Sequence, residues 1–343
     1  AVPLIGLVAS AGADLLDSQG SLFAAAKVFQ ACHNLIVPHL FLSYGTCIGA
    51  SGYLSSLADF TLAVKDTSYF CLTGPKIVKA SVFENSSLKD LGDSAHFASI
   101  GGCHILSDSI EGMEEATRKL LRYLKRKLRR IEAPVTYLSD KESFSMVEVI
   151  ESVMDGNSSI ELWKSWAPNA MTLFAYVTGH RVAVMANNPD CAGGVIDSEG
   201  AKKMASFYKL CSRFHLPVVS LVDTPGFLPG TQSEREGVLT SGGELLKAYM
   251  NHRGPKVTVA VGKVLGGAYM AMGSPAMGGK AYGAFPEAEI GVMAPAFEAE
   301  ILDVRRTKIG EASLSSYAAK NRGIVNEIIL PPQLRSYIRR KIL

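Results

Sequence analysis

VVSLVDTPGFLPG, residues 218–230, and VTVAVGKVLGGAYM, residues 257–270, are the two segments that determine the fold. Each begins with a short apolar run rich in β-branched residues and bounded by proline or glycine, a pattern typical of buried strands. The second run leads into Gly266 and Gly267, where a ligand can approach bare backbone N–H groups at a helix start. The pattern predicts an anion or oxyanion site, although consecutive glycines also serve tight strand-to-helix packing.

The same order of elements occurs earlier, around PHLFLSYGTCIGA at residues 38–50. In both places a strand, a small-residue loop, a helix and a second strand lead to the pattern Gly-x-x-x-Gly-(Ala/Gly). We therefore predict an internal duplication, with one backbone-lined site in each of two α/β domains at residues 1–134 and 145–343. The matching positions are Gly45, Gly49 and Ala50 in the first copy, and Gly262, Gly266 and Gly267 in the second.

The pattern of elements also indicates the kind of α/β fold. The order strand, loop, helix occurs without a Gly-x-Gly-x-x-Gly fingerprint, which argues against a dinucleotide-binding Rossmann domain. A spiral of strand-strand-helix units, as in the crotonase superfamily, fits better. We expect a linker between the two domains at Pro134–Glu142, and the basic run from Arg118 to Arg130 predicts a helix before it. Two interpretations of that helix remain. Its basic side is exposed to solvent, or it contacts phosphates or an acidic partner.

Composition excludes several classes of protein. The chain has 343 residues, of which 48% are hydrophobic and 20% charged, typical of a soluble globular protein of two domains. A net charge of +3 is too small to indicate nucleic-acid binding. The six cysteines show no CxxC spacing, so we expect buried thiols in a reducing compartment and no metal. The most apolar region, Ile36–Val64, contains Pro38 and Asp59, so no membrane insertion is expected.

Several motifs together resemble one family. The sequences LVDTPGFLPG (221–230), GGAY (266–269) and EIGVM (289–293) are similar to the carboxyltransferase component of biotin-dependent acyl-CoA carboxylases, most of all to the propionyl-CoA carboxylase β-subunit type. The sequences ANNP (186–189) and GGVID (193–197) match the start of that family's second domain. The resemblance covers nearly the whole chain.

The resemblance implies a reaction and a set of site residues. A carboxyl group would move from carboxybiotin to the α-carbon of a short-chain acyl-CoA, such as propionyl- or acetyl-CoA, through an enolate. Backbone oxyanion holes would stabilise both anions, with the acyl thioester at Gly49 and Ala50 and biotin at Gly267 and Ala268. The ureido nitrogen of biotin can take the α-proton, so no protein base is required. The implied substrate-binding residues are Gly45, Gly266, Tyr269 and Met270.

The resemblance also implies partners. Biotin would be carried on a partner protein or domain, and the chain would work with biotin carboxylase and biotin carboxyl carrier protein. We expect a homo-oligomer, a dimer that builds the site or a hexamer, in the bacterial cytoplasm or the mitochondrial matrix. Two alternatives remain at this point: a biotin-dependent carboxyacyl-CoA decarboxylase or transcarboxylase subunit, and a non-catalytic structural homologue.

The chain departs from the family pattern at several positions. Asp14 stands where the family has a cation, Ala50 replaces the second glycine of the first site, and Ala294–Ala299 replaces a glycine-containing motif. The family segment that would precede Val2 is absent, so we expect either a fragment or a second chain that completes the first domain.

Individual side chains give weaker signals. At the end of a strand, Asp223 is expected to cap the next turn. Tyr269 is expected to pack against the protein, while Met270 could line the acyl pocket. His96 and His104 lie in a glycine-rich segment, where a structural histidine is expected in preference to a catalytic one.

Overall fold

The computed structural model describes residues 2–125, 138, 144–301 and 314–342. The chain divides into two compact units, residues 1–125 with 162–166, and residues 126–161 with 167–343. The basic residues after Lys125, and the predicted linker apart from Leu138, lie outside the described residues. The boundaries of the two domains therefore stay a prediction.

The first unit is built on a parallel five-stranded sheet of order β1-β2-β3-β5, in which β4 also pairs with β2. Its elements are β1 (Leu4–Ser10), α1 (Ser18–His33), β2 (His39–Ile48), α2 (Ala50–Leu57), β3 (Phe60–Val64), β4 (Tyr69–Cys71), α3 (Pro75–Val82), α4 (Leu88–Gly92), α5 (Ser94–Ser99), β5 (Ile105–Ser107) and α6 (Ile110–Leu124).

The second unit is built on an eight-stranded sheet of order β13-β11-β10-β9-β8-β7-β6, with β12 paired to β10. Among the strands that the structure describes in this unit, the β6–β7 and β7–β8 pairs are antiparallel and the other pairs are parallel. Its elements are α7 (Met146–Val153), β6 (Ile160–Glu161), β7 (Ala170–Val177), β8 (His180–Asn187), α8 (Ser198–Arg213), β9 (Val218–Thr224), α9 (Thr231–Arg235), α10 (Val238–Asn251), β10 (Lys256–Leu265), α11 (Ala268–Ala271), β11 (Ala281–Ala284), β12 (Glu289–Gly291), α12 (Pro295–Ile301), α13 (Ser316–Asn321), β13 (Glu327–Ile328) and α14 (Leu334–Ile342).

Burial of the central strands explains the apolar runs of the sequence. Every residue of β3 is buried, and so is every residue of β9 except Asp223. Strands of a parallel sheet that helices cover on both faces read as continuous apolar runs, which is what these two strands show. Each unit has its own apolar core, around Phe41 and Phe70 in the first and around Val219 and Val259 in the second.

The two units repeat one pattern in detail. Strands β2 and β10 are both ten residues long, and each shows an irregularity in its pairing with the preceding parallel strand, β1 or β9. Each is followed by a positive-φ glycine and a helix, and each then pairs with a three-residue parallel strand, β4 or β12. The predicted duplication is therefore visible element by element.

Two helices differ from the expected pattern. The sequence predicts a helix from Ser21 to His33, and α1 covers it but begins earlier because the Asp17 carboxylate accepts the Gly20 N–H. The sequence places Leu22, Ala25, Ala26, Phe29 and Cys32 on one face of this helix. Ala25, Phe29 and Cys32 are half-buried, whereas Leu22 is 69% exposed and no residue of α1 is fully buried.

The basic helix also begins earlier than its charges suggest. Helix α6 starts at Ile110, where the Ser109 hydroxyl accepts the N–H of Gly112. The helical spacing of Leu120, Leu121, Leu124 and Leu128 predicts that one face of this helix packs. Leu120 and Leu124 are buried and Leu121 is half-buried, whereas Leu128 lies outside the described residues. In the part of the chain that the structure describes, no helix has the length and apolar character to cross a membrane. All six cysteines are free, and Cys47, Cys71, Cys103 and Cys211 are buried.

Candidate active site

Gly49 turns the chain from β2 into α2. It has φ 64° and ψ −123°, a conformation that side-chain-bearing residues rarely adopt. Its N–H donates to the Cys71 carbonyl at 2.9 Å, and its own carbonyl accepts the Tyr53 N–H at 3.2 Å. The Gly49 N–H therefore already has an acceptor within the protein, so Gly49 shapes the loop instead of donating to a ligand.

Ala50 is the residue of this loop whose N–H follows the turn at Gly49. It is the first residue of α2, where an N–H has no acceptor inside the helix. Among the described residues no other group accepts this N–H. Ala50 is half-buried, and its N–H lies at the positive end of a helix.

Gly266 and Gly267 form the equivalent turn in the second unit. Gly266 has φ 58°, and its N–H donates to the Gly291 carbonyl at 2.9 Å, as Gly49 does to Cys71. Gly267 follows with ordinary helical angles, φ −61° and ψ −14°, and is half-buried. Within the described ranges its N–H has no acceptor. Gly267 therefore occupies the position that Ala50 occupies in the first unit.

Ala268, the other predicted donor of this loop, is 0% exposed. It begins α11, and within the described segments its N–H also lacks a protein acceptor. Because the residue is covered by the protein, Gly267 is the more accessible donor of the pair.

The side chain of Phe227 lies against the second loop, a feature that the sequence reasoning missed. A Cβ added to Gly267 would come within 3.1 Å of the Phe227 ring, and one added to Gly242 of α10 would also lie 3.1 Å from it. Phe227 is held by main-chain bonds on either side, Ile196 N–H to Gly226 carbonyl and Leu228 N–H to Ile196 carbonyl, both 2.9 Å. The absence of a side chain at Gly242 and Gly267 therefore leaves room for the Phe227 ring.

The remaining predicted binding residues have structural contacts. Gly45 lies within the irregular part of β2, where a Cβ would be 3.3 Å from Ala9. The Tyr269 hydroxyl donates to the Ile324 carbonyl at 3.1 Å and its ring packs on Tyr282, which confirms the packing role. Met270 is 46% exposed at the end of the same helix.

Asp223 was expected to cap the turn after β9. Its carboxylate instead accepts the Lys263 N–H at 2.9 Å, from the neighbouring strand β10. A Cβ at Gly262 would lie 2.4 Å from that carboxylate, so the glycine makes room for it. Asp223 thus joins the two strands at their carboxyl ends, a structural role of a different kind from the one expected.

His104 is a structural histidine, as expected. Its Nδ1 accepts the Thr61 N–H at 3.0 Å, and its ring packs against Phe60 and Trp163. Burial lowers its pKa to about 3, so it stays neutral at physiological pH. His96 is exposed on α5, where its N–H is capped by Asp93. Burial also raises the pKa of Cys71 beside the first loop, which keeps this thiol protonated and weakly nucleophilic.

Two equivalent N–H groups at strand-to-helix turns can stabilise negative charge on an oxygen. Backbone donors fixed before the reaction cost no reorganisation when charge develops, which is the basis of an oxyanion hole. The described residues of each unit place such a donor at the carboxyl end of a parallel strand, a common location of ligand sites in α/β sheets. The geometry therefore suits reactions that pass through an enolate or a related oxyanion.

The comparison with protein families settles the class. The family described as "Carboxyl transferase domain" matches residues 1–334. The chain belongs to the carboxyl transferase family. This carboxyltransferase is 32% identical to the methylmalonyl-CoA decarboxylase subunit alpha of Veillonella parvula, across 97% of the chain and 70% of that relative. It is likewise 32% identical to the mitochondrial propionyl-CoA carboxylase beta chain of Homo sapiens, across 98% of the chain and 67% of that relative.

The fold comparison agrees. The structure of the carboxyltransferase matches a crystal structure of the transcarboxylase 12S hexamer with hydrolysed methylmalonyl-coenzyme A bound. The TM-score is 0.92 at 30% identity, over 99% of this chain and 71% of the other. The predicted crotonase-like α/β fold and the predicted family are thereby confirmed, and the protein is an enzyme of the transferase kind.

Proposed function

We propose that this carboxyltransferase moves a carboxyl group between biotin and the α-carbon of a short-chain acyl-CoA. The observation that carries the proposal is the pair of equivalent loops, each with one half-buried N–H that lacks an acceptor among the described residues. One donor suits the thioester carbonyl oxygen and the other suits the ureido oxygen of biotin. The named relatives, one acting on propionyl-CoA and one on methylmalonyl-CoA, support this pair of reactants.

In the first unit, the Ala50 N–H donates to the thioester carbonyl oxygen of the acyl-CoA. Charge on this oxygen grows as the α-proton leaves and an enolate forms, so the hydrogen bond is stronger in the transition state than in the bound substrate. Gly49 holds the donor in place through its own bond to Cys71. The methyl group of Ala50 replaces a hydrogen of the usual family glycine but leaves the N–H unchanged.

In the second unit, the residues present fit biotin. The Gly267 N–H matches the ureido oxygen, and a Cβ at Gly267 would lie 3.1 Å from the Phe227 ring, so this ring borders the proposed biotin site. Biotin supplies the carboxyl group that is transferred when it is bound there, carried on a partner protein. The chain's part is to bind the ureido group and to orient it.

The direction in which the carboxyl group moves depends on the partner proteins of the enzyme. We propose carboxylation of a propionyl- or acetyl-CoA-like thioester, with biotin carboxylase and biotin carboxyl carrier protein as partners. A second candidate is the reverse transfer from a carboxyacyl-CoA, favoured by the equal identity to the decarboxylase subunit of Veillonella parvula. The same N–H groups serve both directions because the enolate is common to them.

We further propose that the subunits form a homo-oligomer, in the bacterial cytoplasm or the mitochondrial matrix. Helices α1, α3 and α12 have no buried residue, and apolar side chains such as Phe83 and Phe297 are largely exposed on or beside them. Exposed apolar surface of this kind is typical of subunit interfaces. The transcarboxylase 12S relative is described as a hexamer, which supports the same arrangement here.

The proposed reaction can be tested with free biotin as acceptor. The protein is incubated with biotin and with methylmalonyl-CoA labelled with ¹⁴C in its free carboxyl group, and both the label transferred to carboxybiotin and the unlabelled propionyl-CoA are measured by chromatography. We expect propionyl-CoA formation that rises with biotin concentration and saturates. Formation at the same rate without biotin, or no turnover with any carboxyacyl-CoA in the presence of a biotin carrier, would contradict the proposal.

A further inference from the structure

The side chain of Tyr269 joins the second loop (residues 266–268) and the helix α11 to the segment that precedes β13. Its hydroxyl donates to the Ile324 carbonyl at 3.1 Å, 55 residues away in sequence. Its ring packs on Tyr282 of β11, with the ring centroids 5.4 Å apart. Because Tyr269 is half-buried and comes two residues after Gly267, its hydroxyl fixes the chain directly after the proposed biotin donor.

The acceptor of this bond lies in a segment that the protein holds on both sides. The Ile324 N–H donates to the Ala319 carbonyl of α13 at 2.9 Å. Asn326 makes two bonds with Tyr282 of β11: its side-chain oxygen accepts the Tyr282 N–H at 2.8 Å, and its own N–H donates to the Tyr282 carbonyl at 2.9 Å. The Ile324 carbonyl is therefore a fixed anchor for the tyrosine hydroxyl.

The same part of the chain also supports the start of the second loop. The Ile290 N–H of β12 donates to the Leu314 carbonyl at 2.8 Å. The next residue of β12, Gly291, accepts the Gly266 N–H at 2.9 Å. Residues 314–326 thus hold the second loop at its start, through β12, and after its end, through the tyrosine hydroxyl.

Comparison with the first unit shows what the tyrosine adds. Gly49 and Gly266 are the equivalent turn residues of the two units. Three residues further on, the first unit has Gly52, which has no side chain, where the second has Tyr269. Helix α2 is eight residues long, whereas α11 has four. Because so short a helix has few hydrogen bonds to offset the ordering of its backbone, the second loop depends more on an outside contact than the first.

We propose that Tyr269 is a positioning residue, whose hydroxyl bond to the Ile324 carbonyl holds the Gly267 N–H in place for the reaction with biotin. The inference rests on the proposed function, which assigns the ureido oxygen of biotin to that N–H. An oxyanion donor is effective when it is fixed before the reaction, and a misplacement of about 1 Å can cost about 10²-fold in rate. The hydroxyl has its acceptor within the protein, so it acts through the loop and not by contact with biotin.

Tyr269→Phe tests the inference, because it removes the hydroxyl and keeps the ring that packs on Tyr282. Carboxyl transfer from methylmalonyl-CoA to free biotin is measured at saturating methylmalonyl-CoA, and propionyl-CoA binding is measured by calorimetry. We expect kcat to fall at least about tenfold, since the donor is no longer held in place. Propionyl-CoA affinity should be unchanged, because that ligand is assigned to the first unit.

Amide hydrogen exchange gives a readout that does not depend on turnover. Peptides that cover residues 266–271 are followed by mass spectrometry in the wild type and in Tyr269→Phe, without ligand. Exchange in this segment should be at least about threefold faster in the variant, because a segment with fewer tertiary contacts opens more often. Peptides from the first unit should exchange at the wild-type rate.

Tyr69→Phe is the matched control. Tyr69 of β4 is also half-buried, and its hydroxyl donates to the Asp66 carbonyl at the same distance of 3.1 Å. This variant loses an equivalent bond in the first unit and should keep wild-type kcat, with wild-type exchange in residues 266–271. If Tyr269→Phe matched Tyr69→Phe in both measurements, the inference would be overturned and the proposed function would stand.

Two further outcomes separate the inference from the proposed function. A fall in kcat of Tyr269→Phe with unchanged exchange in residues 266–271 would also overturn the inference, because the hydroxyl would then act without holding the loop. Failure of the wild type to transfer the carboxyl group to biotin would overturn the proposed function, and with it the role in the reaction. The exchange comparison would then still decide whether the hydroxyl holds the loop.

Discussion

At the scale of single residues, Gly49 and Gly266 support the proposal that the donors of the two sites are the residues that follow them. Both glycines have positive φ, and both N–H groups are bonded at 2.9 Å to the carbonyl of the third residue of a short parallel strand. Ala50 and Gly267 follow these turns at equivalent positions, and we propose their N–H groups as the two donors.

Replacing Ala50 by proline removes one N–H with little other change. Ala50 is the first residue of α2, a position that favours proline, and the preceding Gly49 is not in the α region that proline disfavours. We expect kcat/KM with the acyl-CoA to fall by ~10²–10³, the usual loss for one oxyanion donor. Ala50→Gly keeps the N–H and should stay within a few-fold of wild type. Activity of the proline variant within threefold of the glycine variant would rule out this donor.

Replacing Gly267 by valine tests the second site. The sequence alone suggests that this variant folds normally, but the new Cβ would press on the Phe227 ring at 3.1 Å. We expect a loss of about 1–3 kcal/mol in unfolding free energy from overpacking. Biotin-dependent kcat should also fall, because valine keeps the N–H but occupies the space that we propose for the ureido ring. Adding Phe227→Leu should recover stability in thermal unfolding but not turnover. Recovery of both would show that Gly267 acts through packing alone.

At the scale of secondary structure elements, His104 links the start of β3 to the segment before β5. Its Nδ1 accepts a main-chain N–H, so protonation removes that bond. The folded pKa of about 3 lies below the unfolded value near 6.5, so stability is complete above pH 6.5 and is lost as pH falls towards 3. The slope should reach about 1.4 kcal/mol per pH unit.

Denaturant unfolding at pH 7, 6 and 5 checks this prediction. Trp163 and Trp166, the chain's two tryptophans, lie in the same unit as His104 and report its unfolding by fluorescence. His104→Asn retains a possible acceptor for Thr61 but cannot titrate, so its stability should fall less between pH 7 and pH 5 than that of wild type. Equal pH dependence in both proteins would mean that His104 is not the titrating group.

Helix α14 is joined to the β7–β8 turn by a buried ion pair. Arg335 contacts the Asp155 carboxylate and donates to the Val153 carbonyl, while Asp155 accepts the Thr178 and Gly179 N–H groups at 2.8 Å each. Arg335→Leu leaves a buried carboxylate without its cation, so we expect a loss of about 3–5 kcal/mol in unfolding free energy. Arg340→Leu, at the exposed pair with Glu327, should cost no more than about 1 kcal/mol by the same measurement. Equal losses would show that burial does not decide the effect.

At the scale of the whole molecule, the duplication and the loops could be predicted because glycine spacing and apolar runs are local signals. Gly266 and Gly267 were identified in this way. The hydrogen bond from Gly49 to Cys71 could not be predicted, because it depends on the register between two strands that are separated in sequence. The same holds for Phe227, whose contacts with Gly242 and Gly267 arise only when three segments pack together. The exposure of Leu22 on α1 could not be predicted either, because apolar spacing does not reveal which surface covers a helix face.

The central claim is that each unit holds one of the two reactants on the N–H of its strand-to-helix loop. The most direct test is calorimetric binding of propionyl-CoA and of biotin, each titrated into the wild type, Ala50→Pro and Gly267→Val. We expect Ala50→Pro to weaken propionyl-CoA binding and leave biotin binding unchanged, and Gly267→Val to show the opposite pattern. If Gly267→Val abolished propionyl-CoA binding while Ala50→Pro affected only biotin, the assignment of the reactants to the two units would be contradicted.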